Sequence, residues 1–193
     1  MTREELIDKY REINVDDLWD QWYDGVYDDF TARMAETGIG VGKIHFTGFW
    51  SQGDGACFVG RMDDPIRFLD TYKWELPTLR QLLHLGGELR FRIYHYGRYY
   101  HENCARSDFD YDWFTDVMPS EDHGLEWDVA CLLDEKLKHE LDDFEDEVMN
   151  VLRQDMRELY CDLRKEYDRL TSDEAVWDTL IFQEITKELD EAA

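Results

Sequence analysis

Apolar residues recur every four positions near the start of the chain, at Leu18, Trp22, Val26, Phe30 and Met34, which predicts an amphipathic helix over residues 15–36. A shorter helix precedes it, opened by a T-x-x-E capping box at Thr2 and Glu5, and the two part near Asn14. The run from Gly38 to Gly42 ends the helical period. Residues 41–50 and 56–62 are rich in β-branched and aromatic side chains, and the sequence S-Q-G-D-G at 51–55 between them reads as the loop of a β-hairpin. Asp63-Asp64-Pro65 begins a short helix with proline in its first turn, and residues 76–85 suggest another, stopped by Gly86-Gly87. Period two then returns. Leu89, Phe91 and Ile93 alternate with Arg90, Arg92 and Tyr94, and a turn at Gly97-Arg98 would send the chain back over 99–106. That register would set Tyr94 opposite His101 and Arg92 opposite Asn103.

The remainder is helical in pattern. Leu137, Leu141, Phe144, Val148, Leu152, Met156, Leu159, Leu163, Tyr167 and Leu170 step by three or four, predicting one long helix of about nine turns. Thr171 and Glu174 supply a second capping box, before a last apolar face of Val176, Leu180, Ile181, Ile185 and Leu189. The expected fold is therefore α+β in a single domain over 1–193. A central antiparallel sheet of about four strands, in two hairpins, is packed with N-terminal helices (1–120) and a long acidic C-terminal helical section (121–193). The mixed three-and-four spacing of the long helix allows either packing within the chain or a homodimer.

Charge changes this picture from ordinary to specific. The 193 residues carry 46 Asp and Glu against 21 Lys and Arg, a net of -25. Solubility of a small domain asks for a net charge of only roughly 2 to 8. The excess is concentrated: 24 acids against 8 bases lie from Glu121 onward, and 22 against 13 lie before it. Aromatic residues at 15% and hydrophobic residues at 43% point to a folded chain, since disorder goes with apolar-poor composition. No apolar run approaches the roughly 18–20 residues of a membrane span, and the N-terminus has neither a basic region nor an apolar signal core, which predicts a cytoplasmic protein. Cys57, Cys104, Cys131 and Cys161 form no C-x-x-C pair, so reduced thiols are expected, with no metal and no cofactor.

A surface this negative repels nucleic acid and anionic lipid and attracts basic proteins. Its densest patch is Asp134, Glu135, Glu140, Asp142, Asp143, Glu145, Asp146 and Glu147. On a helix rising ~1.5 Å per residue, these carboxylates would recur on the scale of the charges of duplex DNA, one per ~1.7 Å of axis. They are the candidate partner-binding residues. The plainer readings are a solvated helix face and salt adaptation, the latter suggested by 27 Asp against 7 Lys.

The hairpin stretch G-F-W-S-Q-G-D-G-A-C-F at 48–58, followed by Gly97-Arg98-Tyr99-Tyr100-His101, resembles a group of short acidic proteins encoded by bacteriophages. The resemblance implies an accessory role during infection and assigns no catalytic residue. Ser51, Gln52, Asp54 and His101 make a second candidate site on these hairpins. The loop leads into a strand and lacks the lysine of a phosphate loop, so a structural turn competes with a contact loop. Cys57 with His45 or His101 has the residue types of a nucleophile and base, but a cysteine between Ala56 and Phe58 in a strand also reads as a small core residue.

These observations together predict a non-enzymatic inhibitor. It would be a phage-encoded nucleic-acid mimic filling the basic DNA- or RNA-binding channel of a bacterial defence effector, of the anti-CRISPR or antirestriction kind, in the host cytoplasm. Rival readings are a small nucleotide-binding protein or enzyme using the hairpins, and an adaptor that recruits a host protein.

Overall fold

The structure is a computed structural model that describes residues 1–16, 22–110, 127–183 and 185, without the side chains of 127–131 and 134. Leu18 and Leu189, and the side chains of Cys131 and Asp134, lie outside the described residues. The chain has an α+β fold built on a four-stranded antiparallel sheet. Packing divides it into two units, one of Met1–Asp29 with Tyr160–Ala193 and one of Phe30–Leu159.

In the first unit, α1 (Arg3–Lys9) opens with the expected capping box: the Glu5 amide donates to Thr2 Oγ1 at 3.2 Å and the Thr2 amide to Glu5 Oε2 at 2.8 Å. Its apolar side, Leu6 and Ile7, packs with Val176 and Leu180, and Tyr10, Ile13, Trp177 and Ile185 close around them. The last helix of the chain (Asp173–Phe182) is capped by Ser172, whose hydroxyl accepts from the Ala175 amide at 3.3 Å. Thr171, the expected cap, instead donates its hydroxyl to the Tyr167 carbonyl at 2.9 Å. Asn14 stitches the segment after α1 in place, donating to the Leu170 carbonyl and accepting from the Thr179 hydroxyl.

In the second unit, β1 (Ile39–Phe46), β2 (Ala56–Met62), β3 (Arg90–His95) and β4 (Ala105–Asp110) lie side by side in that order. One sheet face is the core: Phe58, Phe91, Ile93 and Ala105 are buried, and Phe30 of α2 (Asp24–Glu36) meets Phe58 edge to face at 5.6 Å. Two short helices, α3 (Pro65–Thr71) and α4 (Pro77–His84), each begin with proline at the first turn, as expected. Strand β1 is an edge strand, and its pairing with β2 slips between Val41 and Lys43 in a bulge at Gly42.

Two expectations are corrected. The second hairpin does not turn tightly at Gly97-Arg98. Residues 96–104 form the connection, closed by the Tyr96 amide bonding the Cys104 carbonyl at 2.8 Å and containing a 3-10 turn at Glu102–Cys104. The register is therefore Arg92 opposite Asp108 and Tyr94 opposite Arg106, not Asn103 and His101.

The long C-terminal helix is two helices, α5 (Trp127–Leu141) and α6 (Phe144–Leu170), parted at Asp142 and Asp143. Charge explains the break. Lys138 and His139 sit in the last turn of α5 and Glu145, Asp146 and Glu147 in the first turn of α6, each the sign that the local helix dipole favours. The ladder of α6 restarts with the Glu147 amide on the Asp143 carbonyl at 3.0 Å. Helix α6 is amphipathic over its length, with Phe144, Val148, Leu152, Met156, Leu159 and Leu163 buried by the chain itself. Each such side chain contributes about 1.5–3 kcal/mol when fully removed from water. The last helix, Asp173–Phe182, is α7.

Candidate functional site

The acidic patch separates into working and free carboxylates. Glu140, near the end of α5, accepts the Thr78 amide with both oxygens at 3.0 Å and the Leu79 amide at 3.1 Å. It therefore satisfies the open N-terminus of α4, where Leu76 stands at the cap position without a side-chain acceptor. Glu145 accepts from the Ser107 hydroxyl at 2.6 Å, tying α6 to β4. Neither is a free contact. Glu135, Asp142, Asp143, Asp146 and Glu147 are exposed, and Asp142 lies 3.7 Å from the ring of His139, also exposed. The four from Asp142 to Glu147 gather where α5 ends and α6 begins. Asp143 and Glu147 stand one helical turn apart, about 5–6 Å between β-carbons.

The second candidate site holds itself together. Asp54 Oδ2 accepts the amides of Trp50 at 2.9 Å and Ser51 at 2.6 Å, so these two loop amides are already bonded to a carboxylate and turned from any external anion. Ser51 and Gln52 are exposed. The structure does bring the two motifs of the resemblance together. A β-carbon on Gly53 would lie 2.3 Å from the Tyr99 ring, and one on Gly55 would lie 2.6 Å from His101 Cα. These glycines are thus required by close packing of the 96–104 connection on the first hairpin. Trp50 and Tyr96 remain largely exposed, at 69% and 68%, with Tyr99 at 46%.

His101 caps the 3-10 turn by accepting the Asn103 amide on Nδ1 at 3.2 Å, and its Nε2 lies 3.6 Å from Cys104 Sγ. With Nδ1 engaged by that amide, Nε2 is the ring nitrogen nearer the sulfur. Cys57 is fully buried, and burial, reinforced by Cys104, pushes its thiol up to about 12. His45 faces Cys57 across β1 and β2 but stacks on Tyr100 at 4.8 Å. Its pKa is lowered by burial, then by Lys43 and His95. This chemistry suits packing rather than nucleophilic attack. Among the described residues, no group of three His, Cys, Asp or Glu is placed to hold a metal ion, and no helix is long and apolar enough to cross a membrane.

Sequence reasoning left one feature unrecognised. Of the arginines between residues 61 and 106, Arg61, Arg67 and Arg80 pair with Asp63, Asp64 and Asp70, close by in sequence. Arg61, Arg90, Arg92 and Arg106 share the outward face of the sheet, where a groove of about 750 Å³ runs over β1, β2 and β3. The alternation of Arg90, Arg92 and Tyr94 with buried Phe91 and Ile93 was the available signal.

Compared with known proteins, residues 22–173 match a family described as a domain of unknown function, DUF8835. No curated protein and no solved structure matches the chain.

Proposed function

Because the chain belongs to the DUF8835 family, whose description carries no activity, we propose a function from its surface: an acidic, non-enzymatic binding protein that occupies a basic nucleic-acid channel of another protein. The observation that carries this reading is the group of exposed carboxylates Asp142, Asp143, Asp146 and Glu147 at the α5–α6 break. They stand free of the core contacts that engage Glu140 and Glu145. Clustered carboxylates would meet a cationic surface as phosphates do, in a chain whose net charge of -25 steers it toward such surfaces. A channel that binds DNA or RNA supplies such a surface, and a bacterial defence effector is the partner class that the sequence suggests. Exposed Trp50, Tyr96 and Tyr99 supply apolar anchors of the kind that interface cores favour.

The test reverses Asp142, Asp143, Asp146 and Glu147 to Lys together and captures partners from bacterial lysate at low and high salt. Wild-type capture of a nucleic-acid-binding protein should fall steeply with salt, and the variant, shown folded by circular dichroism, should capture none. Undiminished capture by the folded variant overturns the reading.

A further inference from the structure

The groove on the outward sheet face contains groups that the rest of the fold leaves unused. Arg61 and Arg92 are directly opposite across β2 and β3, and Arg92 is directly opposite Asp108 across β3 and β4. Like charges in opposed positions repel. Arg61 is compensated by Asp63 at 2.5 Å, whereas Arg92 has no ion pair or side-chain hydrogen bond among the described residues. The same holds for Asp108, and Tyr94, 44% exposed on the same face two positions along from Arg92, has no ring partner among them. An arginine without a carboxylate partner is notable in a chain with 46 acids.

Gly40, opposite Arg61 across β1 and β2, puts no side chain on this face, where a β-carbon would lie 2.0 Å from Asp63 Oδ2. The groove it leaves open lies beside an aromatic ring, an unpaired guanidinium and an unpaired carboxylate.

We propose that this groove binds a nucleoside monophosphate. The Arg92 guanidinium takes the phosphate with Arg61 beside it, Tyr94 stacks on the base, and Asp108 accepts from a sugar hydroxyl or a base amino group. Guanidinium forks match phosphate geometry, and aromatic side chains stack on any base. The groove volume of about 750 Å³ falls within the range of small-molecule sites. The net charge selects a monophosphate over a strand, because each further phosphate adds repulsion from the rest of the chain.

Calorimetric titration of the full chain at low salt tests this, with adenosine 5′-monophosphate, adenosine, inorganic phosphate and an oligodeoxythymidylate as probes. The nucleotide should bind saturably and more tightly than the other three. Arg92→Gln and Tyr94→Ala should each weaken it roughly tenfold, the loss that one charge-assisted bond or one stacked base carries. The four-lysine variant at the α5–α6 break should still bind it, which separates this site from the acidic one. Absence of saturable nucleotide binding at millimolar concentration overturns the proposal. So does equal affinity in both groove variants, phosphate alone matching the nucleotide, or tighter binding of the oligonucleotide.

Discussion

Glu140 holds the Thr78 amide between both of its carboxylate oxygens at 3.0 Å, so a residue on α5 does the capping that Leu76 cannot do for α4. Glu140→Ala should therefore destabilise the protein by about 1–2 kcal/mol, the usual cost of losing a helix cap. Asp142→Ala, at an exposed position nearby, should stay within about 0.5 kcal/mol of wild type. Urea unfolding of the two variants decides it: the Glu140 variant should lower the midpoint at unchanged slope.

Tyr72 donates its hydroxyl to Asp155 Oδ2 at 3.0 Å. Burial holds the Asp155 carboxyl above its ordinary 3.8; the Tyr72 bond opposes this, Glu158 adds to it and Arg33 opposes it. A pKa raised in the folded state means that the native protein binds this proton more tightly than the unfolded chain. The associated stability is present below the ordinary carboxylate pKa and is lost as pH rises through the folded value. Asp155→Asn keeps an acceptor for Tyr72 and removes the titration. Its stability relative to wild type should improve as pH climbs from acid toward neutral, and a difference independent of pH would contradict the assignment.

Gly55 has no room for a side chain against the backbone of His101. Gly55→Ala should cost about 1–3 kcal/mol through forced displacement of the 96–104 connection. Thermal unfolding measures the loss, and near-ultraviolet circular dichroism should report altered packing of Tyr99 and Tyr100. An unchanged melting temperature would show that the two hairpins do not pack as closely as described.

Cys57 is buried and its thiol is held up to about 12, whereas Cys161 is exposed. In a Cys131→Ser background, a thiol reagent near pH 8 should label Cys161 quickly and Cys57 only after denaturation, because the thiolate is the reactive form. Peptide mapping after timed labelling gives the answer, and early modification of Cys57 would restore it as a candidate nucleophile.

The strands were legible where one face is buried: Phe91 and Ile93 alternate with Arg90, Arg92 and Tyr94 because a half-covered sheet demands it. The second turn was not. Gly97-Arg98 has turn chemistry, but Tyr99, Tyr100 and His101 are held against His45, Gly53 and Gly55 of the first hairpin, a tertiary demand that overrides local preference. The break at Asp142-Asp143 was written in the reversal of charge between Lys138-His139 and Glu145-Asp146-Glu147, yet the continuing apolar spacing masked it. Composition likewise located the acidic patch without sorting it. Glu140 and Glu145 look like their neighbours in sequence because their partners, Thr78 and Ser107, are 62 and 38 residues away. The outward groove was missed for a related reason: Arg61, Arg92 and Asp108 meet only through strand pairing.

The slip in strand pairing at Gly42 bears on how the protein behaves when crowded. An edge strand with an unbroken row of amides and carbonyls offers a template on which the next molecule can add its own strand, and so on into a fibre. In β1 that row is interrupted partway along, beside exposed Lys43, so an incoming strand would lose alignment after a few residues. The interruption hinders strand addition along the β1 edge, by geometry that salt does not screen.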